Sequence, residues 1–205
     1  MIIGRTKMIK TIATTILASI SSNLTPNLEN PPNTISPYIH PAPPGVDYST
    51  NASPFGAILR GELPSLPILE TSNYYAFHDR TPRAPLHALL IPKQQIDSIL
   101  DLTSPNYHQL NEMKTLALQI LQTYQREAYE KEDYILCFHI PPFYSVPHLH
   151  LHILAPASQM TNIMRNGKYR TGSRWCVGLD YALERLQQKK TVLPFGYPFL
   201  KQDYF

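Results

Sequence analysis

The chain has 205 residues and a mass of 23.4 kDa, with 43% apolar and 16% charged residues, a formal charge of +3 and a pI near 8.8. That composition supports one packed domain with extra length at its ends and excludes disorder throughout, while so small and scattered a positive charge argues against a nucleic-acid groove. The two cysteines, Cys137 and Cys176, are too few for a disulfide framework and form no Cys-x-x-Cys pair, which fits a reducing compartment without structural zinc.

Residues 1–28 carry Arg5, Lys7 and Lys10 and no acid, with Ile9, Ile12, Ile16 and Ile20 at helical spacing. Residues 1–25 therefore read as a targeting segment or a disordered tail, and the protein is expected in the cytoplasm or nucleus, with a mitochondrial location as the alternative. The stretch is too rich in hydroxyls, and meets Pro26 too soon, to span a membrane. Seven of the twenty prolines fall between Pro26 and Pro44, so residues 26–52 read as a linker and the folded domain is expected over 53–190, leaving 191–205 as a C-terminal tail.

Within the domain, FGAILRGEL predicts a short helix, and PILE, YYAFHD and HALLIP predict strands of a meander. Ser104 and Pro105 make a cap and first turn for a long helix whose apolar face is Leu110, Met113, Ala117, Ile120, Leu121 and Tyr124. Strands at YILCFHI and HLHLHIL flank the turn PPFYSVP, and a last helix is expected from Gly178 to Gln188. The order implies an α+β class: an antiparallel sheet of about five strands, one long helix and a C-terminal helix.

His148, His150 and His152 alternate with aliphatics in HLHLHIL. On a strand the period of two puts the three imidazoles on one face, about 7 Å apart, and Leu149, Leu151 and Ile153 into the core. Such a row can be inert, can hold zinc with His87 or His139 as third ligand, or can do phosphate chemistry. Three imidazoles are an uncommon choice for an inert strand face. The zinc reading lacks acids to orient the ligands, since none falls between Asp133 and Asp180. In the phosphate reading a neutral imidazole attacks phosphorus, His150 is central with a ring on either side, and Ser145 can donate to the leaving atom.

The run Ser145-Val146-Pro147 followed by HLHLHIL resembles the signature of the histidine-triad superfamily. PFGAILRGELPSLPILE and YYAFHDRTPRAPLHALLIPKQQI are similar to the amino-terminal half of its Hint-like branch, and FHIPPFYSVPHLHLHIL to members with a Pro-Pro-Phe turn. The resemblance spans about Ser53 to Pro156. It implies a homodimeric α+β hydrolase that needs no metal or cofactor and releases a purine nucleoside monophosphate, AMP above all, from an amine, sulfate, acyl or phosphate group. The partner is then a small nucleotide conjugate rather than nucleic acid or membrane. By resemblance, His150 is the residue that becomes nucleotidylated, His152 contacts the α-phosphate, His148 supports the constellation and His87 hydrogen-bonds to it. Asp79 holds the ribose hydroxyls, and Phe55, Phe77, His78 and Arg80 line the nucleoside pocket. Ser53 and Gly56 stand where many relatives carry a Cys-x-x-Cys zinc pair, and His139 begins a segment that replaces a loop with Asn and Gly. His139 is expected among the nucleotide contacts. A non-catalytic nucleotide-binding scaffold and a zinc-dependent hydrolase remain the alternatives.

Overall fold

Period-two apolar runs become strands where their backbones find ladder partners, here β1 (Pro67–Glu70), β2 (Tyr74–His78), β3 (Leu86–Pro92), β4 (Ile135–His139), β5 (Leu151–Ala155) and β6 (Cys176–Gly178). The computed structural model describes residues 38–193, so the expected targeting segment and residues 194–205 lie outside the described residues. All pairings are antiparallel, in the order β1-β2-β3-β5-β4-β6. The helices are α1 (Pro54–Leu59), α2 (Tyr107–Tyr124), α3 (Arg126–Glu130) and α4 (Leu179–Gln187). Among the described residues no helix is long and apolar enough to cross a membrane.

Alternation divides the sheet into two faces. One face packs Ala76, Ala88, Leu90, Leu151, Ile153 and Val177 against Leu110, Met113, Ala117 and Ile120 of α2 and against Leu183 and Leu186 of α4. Each large aliphatic so buried contributes about 1.5–3 kcal/mol. The other face carries Tyr75, Phe77, Leu89 and Ile91 beneath Phe55, Ile58 and Leu59 of α1, with Cys137, Leu154 and Cys176 beneath Met160 and Tyr169. His152 lies opposite Leu89 on β3 and Cys137 on β4, which sets it on this second face.

The α+β architecture agrees with the sequence expectation, with differences that have local causes. The sheet has a sixth strand because Cys176–Gly178 pairs with β4, and three residues are too few for a period to register. β5 begins only at Leu151, since the backbone before it is used elsewhere: His148 N–H bonds Val146 O at 2.9 Å and Leu149 N–H bonds Ile96 O at 2.6 Å. Ser104 and Pro105 form a 3-10 turn capped by Thr103 and Asn106, after which α2 starts at Tyr107. Tyr124, expected on the apolar face of that helix, is 45% exposed, while Leu116 is buried.

Residues 38–52, expected as linker, pack onto the domain. His40 N–H bonds Leu59 O at 2.9 Å, the Tyr48 hydroxyl donates to Pro41 O at 2.9 Å, and the buried Lys93 ammonium donates to the same carbonyl at 2.9 Å. Prolines lack a donor but keep their carbonyls, so a Pro-rich segment can still be held by donors on its neighbours. The described part of the domain therefore begins before Ser53.

Candidate active site

The second sheet face gathers His87 from β3, His139 from β4, His152 from β5 and, just ahead of β5, His148 and His150. All five are buried, His150 and His139 at 7% exposure the most open. Burial, the largest cause in each case, drives their pKa values down: His87 and His139 fall to about 4, His152 lies well below its ordinary value, and His148 and His150 are also lowered. The Asp79 carboxylate opposes this at His87 and His150, and the Lys168 ammonium adds to it at His87, His139, His150 and His152. At neutral pH each ring is neutral, with one N–H and one lone pair, and its partners decide which nitrogen is which.

Backbone carbonyls, which only accept, settle the assignment. His148 Nε2 lies 2.8 Å from Pro92 O and must donate to it, so its Nδ1 accepts from Asn51 Nδ2 at 2.9 Å. His150 Nδ1 lies 2.6 Å from His148 O and donates, which leaves the Nε2 lone pair exposed to whatever enters the site. His139 Nε2 donates to Lys168 O at 3.1 Å, so its Nδ1 accepts from His152 Nε2 at 3.1 Å and His152 Nδ1 accepts from His87 Nε2 at 3.0 Å. This chain of three imidazoles ends at His87 Nδ1, the one buried side-chain nitrogen or oxygen without a partner among the described residues.

Of the six ring nitrogens of His148, His150 and His152, five are hydrogen-bonded within the protein. The sixth is His150 Nε2, and it is not among the buried atoms lacking a partner, so solvent reaches it. The position expected of His152 differs accordingly. Both of its nitrogens are engaged, by His87 and His139, so its ring as it stands has no nitrogen to offer an α-phosphate.

Phe55 packs edge-on against His150 and His148 at centroid distances of 5.3 and 5.7 Å and against Phe77 at 5.5 Å, so these two aromatics do border the triad. His78 does not. As the next strand residue after Phe77 it faces the opposite side of the sheet, where its ring meets Tyr124 of α2 at 6.5 Å. Arg80 is exposed just beyond β2. Asp79 Oδ1 accepts from the Thr81 N–H and hydroxyl at 2.7 and 3.2 Å, as a turn-forming Asp does, while Oδ2 lies 3.5 Å from His87 Nε2. His139, expected to touch nucleotide, is instead tied between His152 and Lys168 O. Ser145 is exposed on the loop between β4 and β5, outside the bonds that join the histidines. Asp79, His87 and His152 offer three metal-donor atoms within 4.8 Å of one another, although the two histidines are already hydrogen-bonded to each other.

Several participants had no local signal. Asn51 and the carbonyls of Pro92 and Lys168 act through distant pairing, and Tyr169, 1% exposed, closes the cluster with its ring 5.1 Å from His139, 5.3 Å from His152 and 5.6 Å from His87. A cis peptide bond joins Pro141 to Pro142 in the turn that follows His139.

Comparison with known proteins adds the following. The family model described as scavenger mRNA decapping enzyme C-term binding matches residues 52–167. The adenosine 5'-monophosphoramidase HINT3 of Danio rerio is 36% identical over 140 residues, which cover 68% of this chain and 84% of that protein. The adenosine 5'-monophosphoramidase HINT3 of Mus musculus is 31% identical over 144 residues, covering 69% and 85%. Among solved structures, a HIT family hydrolase from Legionella pneumophila Philadelphia 1 is 33% identical over 50% of this chain and 90% of that chain, with a TM-score of 0.46.

Proposed function

Since this chain belongs to the histidine-triad superfamily, we propose that it hydrolyses conjugates of AMP, phosphoramidates first among them, with His150 as the nucleophile. The observation that carries the reading is the single unengaged ring nitrogen of the triad, His150 Nε2, on a ring whose centroid lies 5.3 Å from that of Phe55. Relatives named as adenosine 5'-monophosphoramidases support the choice of AMP and of a P–N bond. In the step this implies, the Nε2 lone pair forms a bond to phosphorus as the bond from phosphorus to the leaving nitrogen breaks, and the departing amine takes up a proton. Water then attacks phosphorus, the bond to His150 breaks, and AMP leaves. While nucleotidylated, the imidazole is cationic, and its Nδ1–H donates a charge-assisted hydrogen bond to His148 O. Asp79 is the candidate for the ribose hydroxyls through Oδ2. Homodimerisation is part of the same reading and rests on the family.

The test is AMP release from adenosine 5'-phosphoramidate by wild type and His150→Ala, each with and without chelator. Release that disappears in the variant and ignores the chelator is the expected result. Release that the chelator abolishes and zinc restores would transfer the reading to the donors Asp79, His87 and His152. Nucleotide binding without release would make the chain a binding module.

A further inference from the structure

Asn51 lies in the segment that the sequence marks as linker, yet it is 2% exposed and sits against the triad. Its Oδ1 accepts from Ser53 N–H at 3.0 Å, which turns Nδ2 toward His148 Nδ1 at 2.9 Å. The opposite end of that ring is held by Pro92 O at 2.8 Å, so the imidazole is pinned across both nitrogens. The backbone of Asn51 is fixed in turn, because Arg60 Nη1 donates to its carbonyl at 2.7 Å and to Tyr48 O at 2.6 Å. On α1, Gly56 admits this approach: a Cβ there would lie 2.2 Å from Asn51 O and 2.6 Å from its Cγ.

We infer that Asn51 is a positioning residue for the nucleophile: its carboxamide holds His148 as the neutral Nε2–H form, and the backbone carbonyl of His148 holds Nδ1–H of His150. The inference rests on the reading of His150 given above. A carboxamide suits this position because it donates without carrying charge, whereas a carboxylate would draw a second proton onto His148 Nδ1. A cationic His148 next to His150 opposes the positive charge that His150 acquires when it bonds to phosphorus. The groups facing His148 are few. The Phe55 ring comes from α1, Asp97 acts from the loop after β3, His150 lies two residues along, Pro92 O closes the end of β3, and the Arg60 guanidinium stands behind Asn51. Burial disfavours the charged ring and outweighs Pro92 O and Asp97, the two groups among them that favour it.

Three measurements decide the matter: the pH dependence of kcat and KM for adenosine 5'-phosphoramidate in wild type, Asn51→Asp and Asn51→Ala; thermal melts of the three; and ring-nitrogen NMR of His148 in the wild type. Asn51→Asp keeps the acceptor for Ser53 N–H, and we expect its kcat to lose the acid side of the profile at least about one pH unit higher than wild type, recovering at high pH with KM little changed. Asn51→Ala should lower kcat about tenfold at all pH values while still melting cooperatively. NMR should show His148 protonated at Nε2 alone. A parallel drop in Asn51→Asp with an unmoved acid limb, or a His148 protonated at Nδ1 in wild type, overturns the role of Asn51. A wild-type protein that releases no AMP overturns the reading of His150 instead, while a His148 protonated at Nδ1 would still remove Asn51 as its hydrogen-bond donor.

Discussion

His139 and His152 share a hydrogen bond of 3.1 Å between Nδ1 and Nε2, and its direction is imposed from outside the pair by the carbonyl of Lys168, 3.1 Å from His139 Nε2. Because that carbonyl can only accept, His139 must accept from His152, and His152 from His87. An asparagine offers the same two functions on one carboxamide. We therefore expect His139→Asn to keep kcat/KM within about threefold. His139→Phe strands the buried His152 Nε2–H, which costs about 1–3 kcal/mol, or about 5- to 150-fold in rate if the ring loses its place. Steady-state kinetics of the two variants provide the check; a phenylalanine variant as active as wild type would show that the orientation of His152 does not matter.

The same burial makes stability depend on pH. Folded His87 and His139 titrate near 4 against an ordinary 6.5, chiefly because burial disfavours the charged ring. Below pH 6.5 the unfolded chain therefore binds more protons than the folded one. The stabilisation is complete above pH 6.5, declines as pH falls, and is gone once pH passes below about 4. Melting should drop by more than about 5 °C between pH 7 and pH 4.5, and His139→Asn should flatten the slope. A melting temperature constant over that interval would count against neutral, buried histidines.

Lys93 is 1% exposed, with its ammonium 2.7 Å from Glu70 Oε1, and His40 Nδ1 meets the same oxygen at 3.1 Å. Burial pushes the Glu70 carboxyl up, but the hydrogen bonds from His40 and Lys93 outweigh it and hold the group below the usual carboxylate range. Glu70→Ala leaves a buried cation with the Pro41 carbonyl alone and should cost about 3–5 kcal/mol in urea unfolding. Glu70→Leu combined with Lys93→Met should recover most of that loss. If the single substitution were neutral, the hold on residues 38–47 would have to come from elsewhere.

Gly56 sits inside α1, where alanine ordinarily stabilises by a few tenths to about 1 kcal/mol. The added Cβ would stand 2.2 Å from Asn51 O, so Gly56→Ala is expected to destabilise by about 2 kcal/mol or more and to lower AMP release through Asn51. A more stable Gly56→Ala protein with unchanged activity would contradict the close packing of α1 on this segment.

Much of the architecture is legible locally. The aliphatics of HLHLHIL and the 3.6-residue rhythm of Leu110, Met113, Ala117 and Ile120 each report one buried face, and both faces meet in a single core. The misplacements come from signals that composition carries poorly. Proline density marks residues 38–52 as linker although the carbonyls of Pro41, Tyr48 and Asn51 are held by Lys93 and Arg60. Adjacent residues in YYAFHD suggest one pocket, yet the pleat separates Phe77 from His78.

By itself, the amino-acid order determined that three imidazoles alternate with aliphatics that enter the core, because side-chain direction in an extended chain depends only on parity, although only His152 of the three lies within β5. It did not determine which of six nitrogens is free. That depends on partners 97, 65 and 56 residues away, Asn51 on His148, His87 on His152 and Pro92 on His148, and on Lys168, 29 residues beyond His139. A neutral imidazole has two tautomers close in energy, so a single hydrogen bond from a distant carbonyl or carboxamide selects between them. Only the folded chain brings those groups within 3.1 Å and leaves His150 Nε2 as the one ring nitrogen of the three histidines without a hydrogen-bond partner.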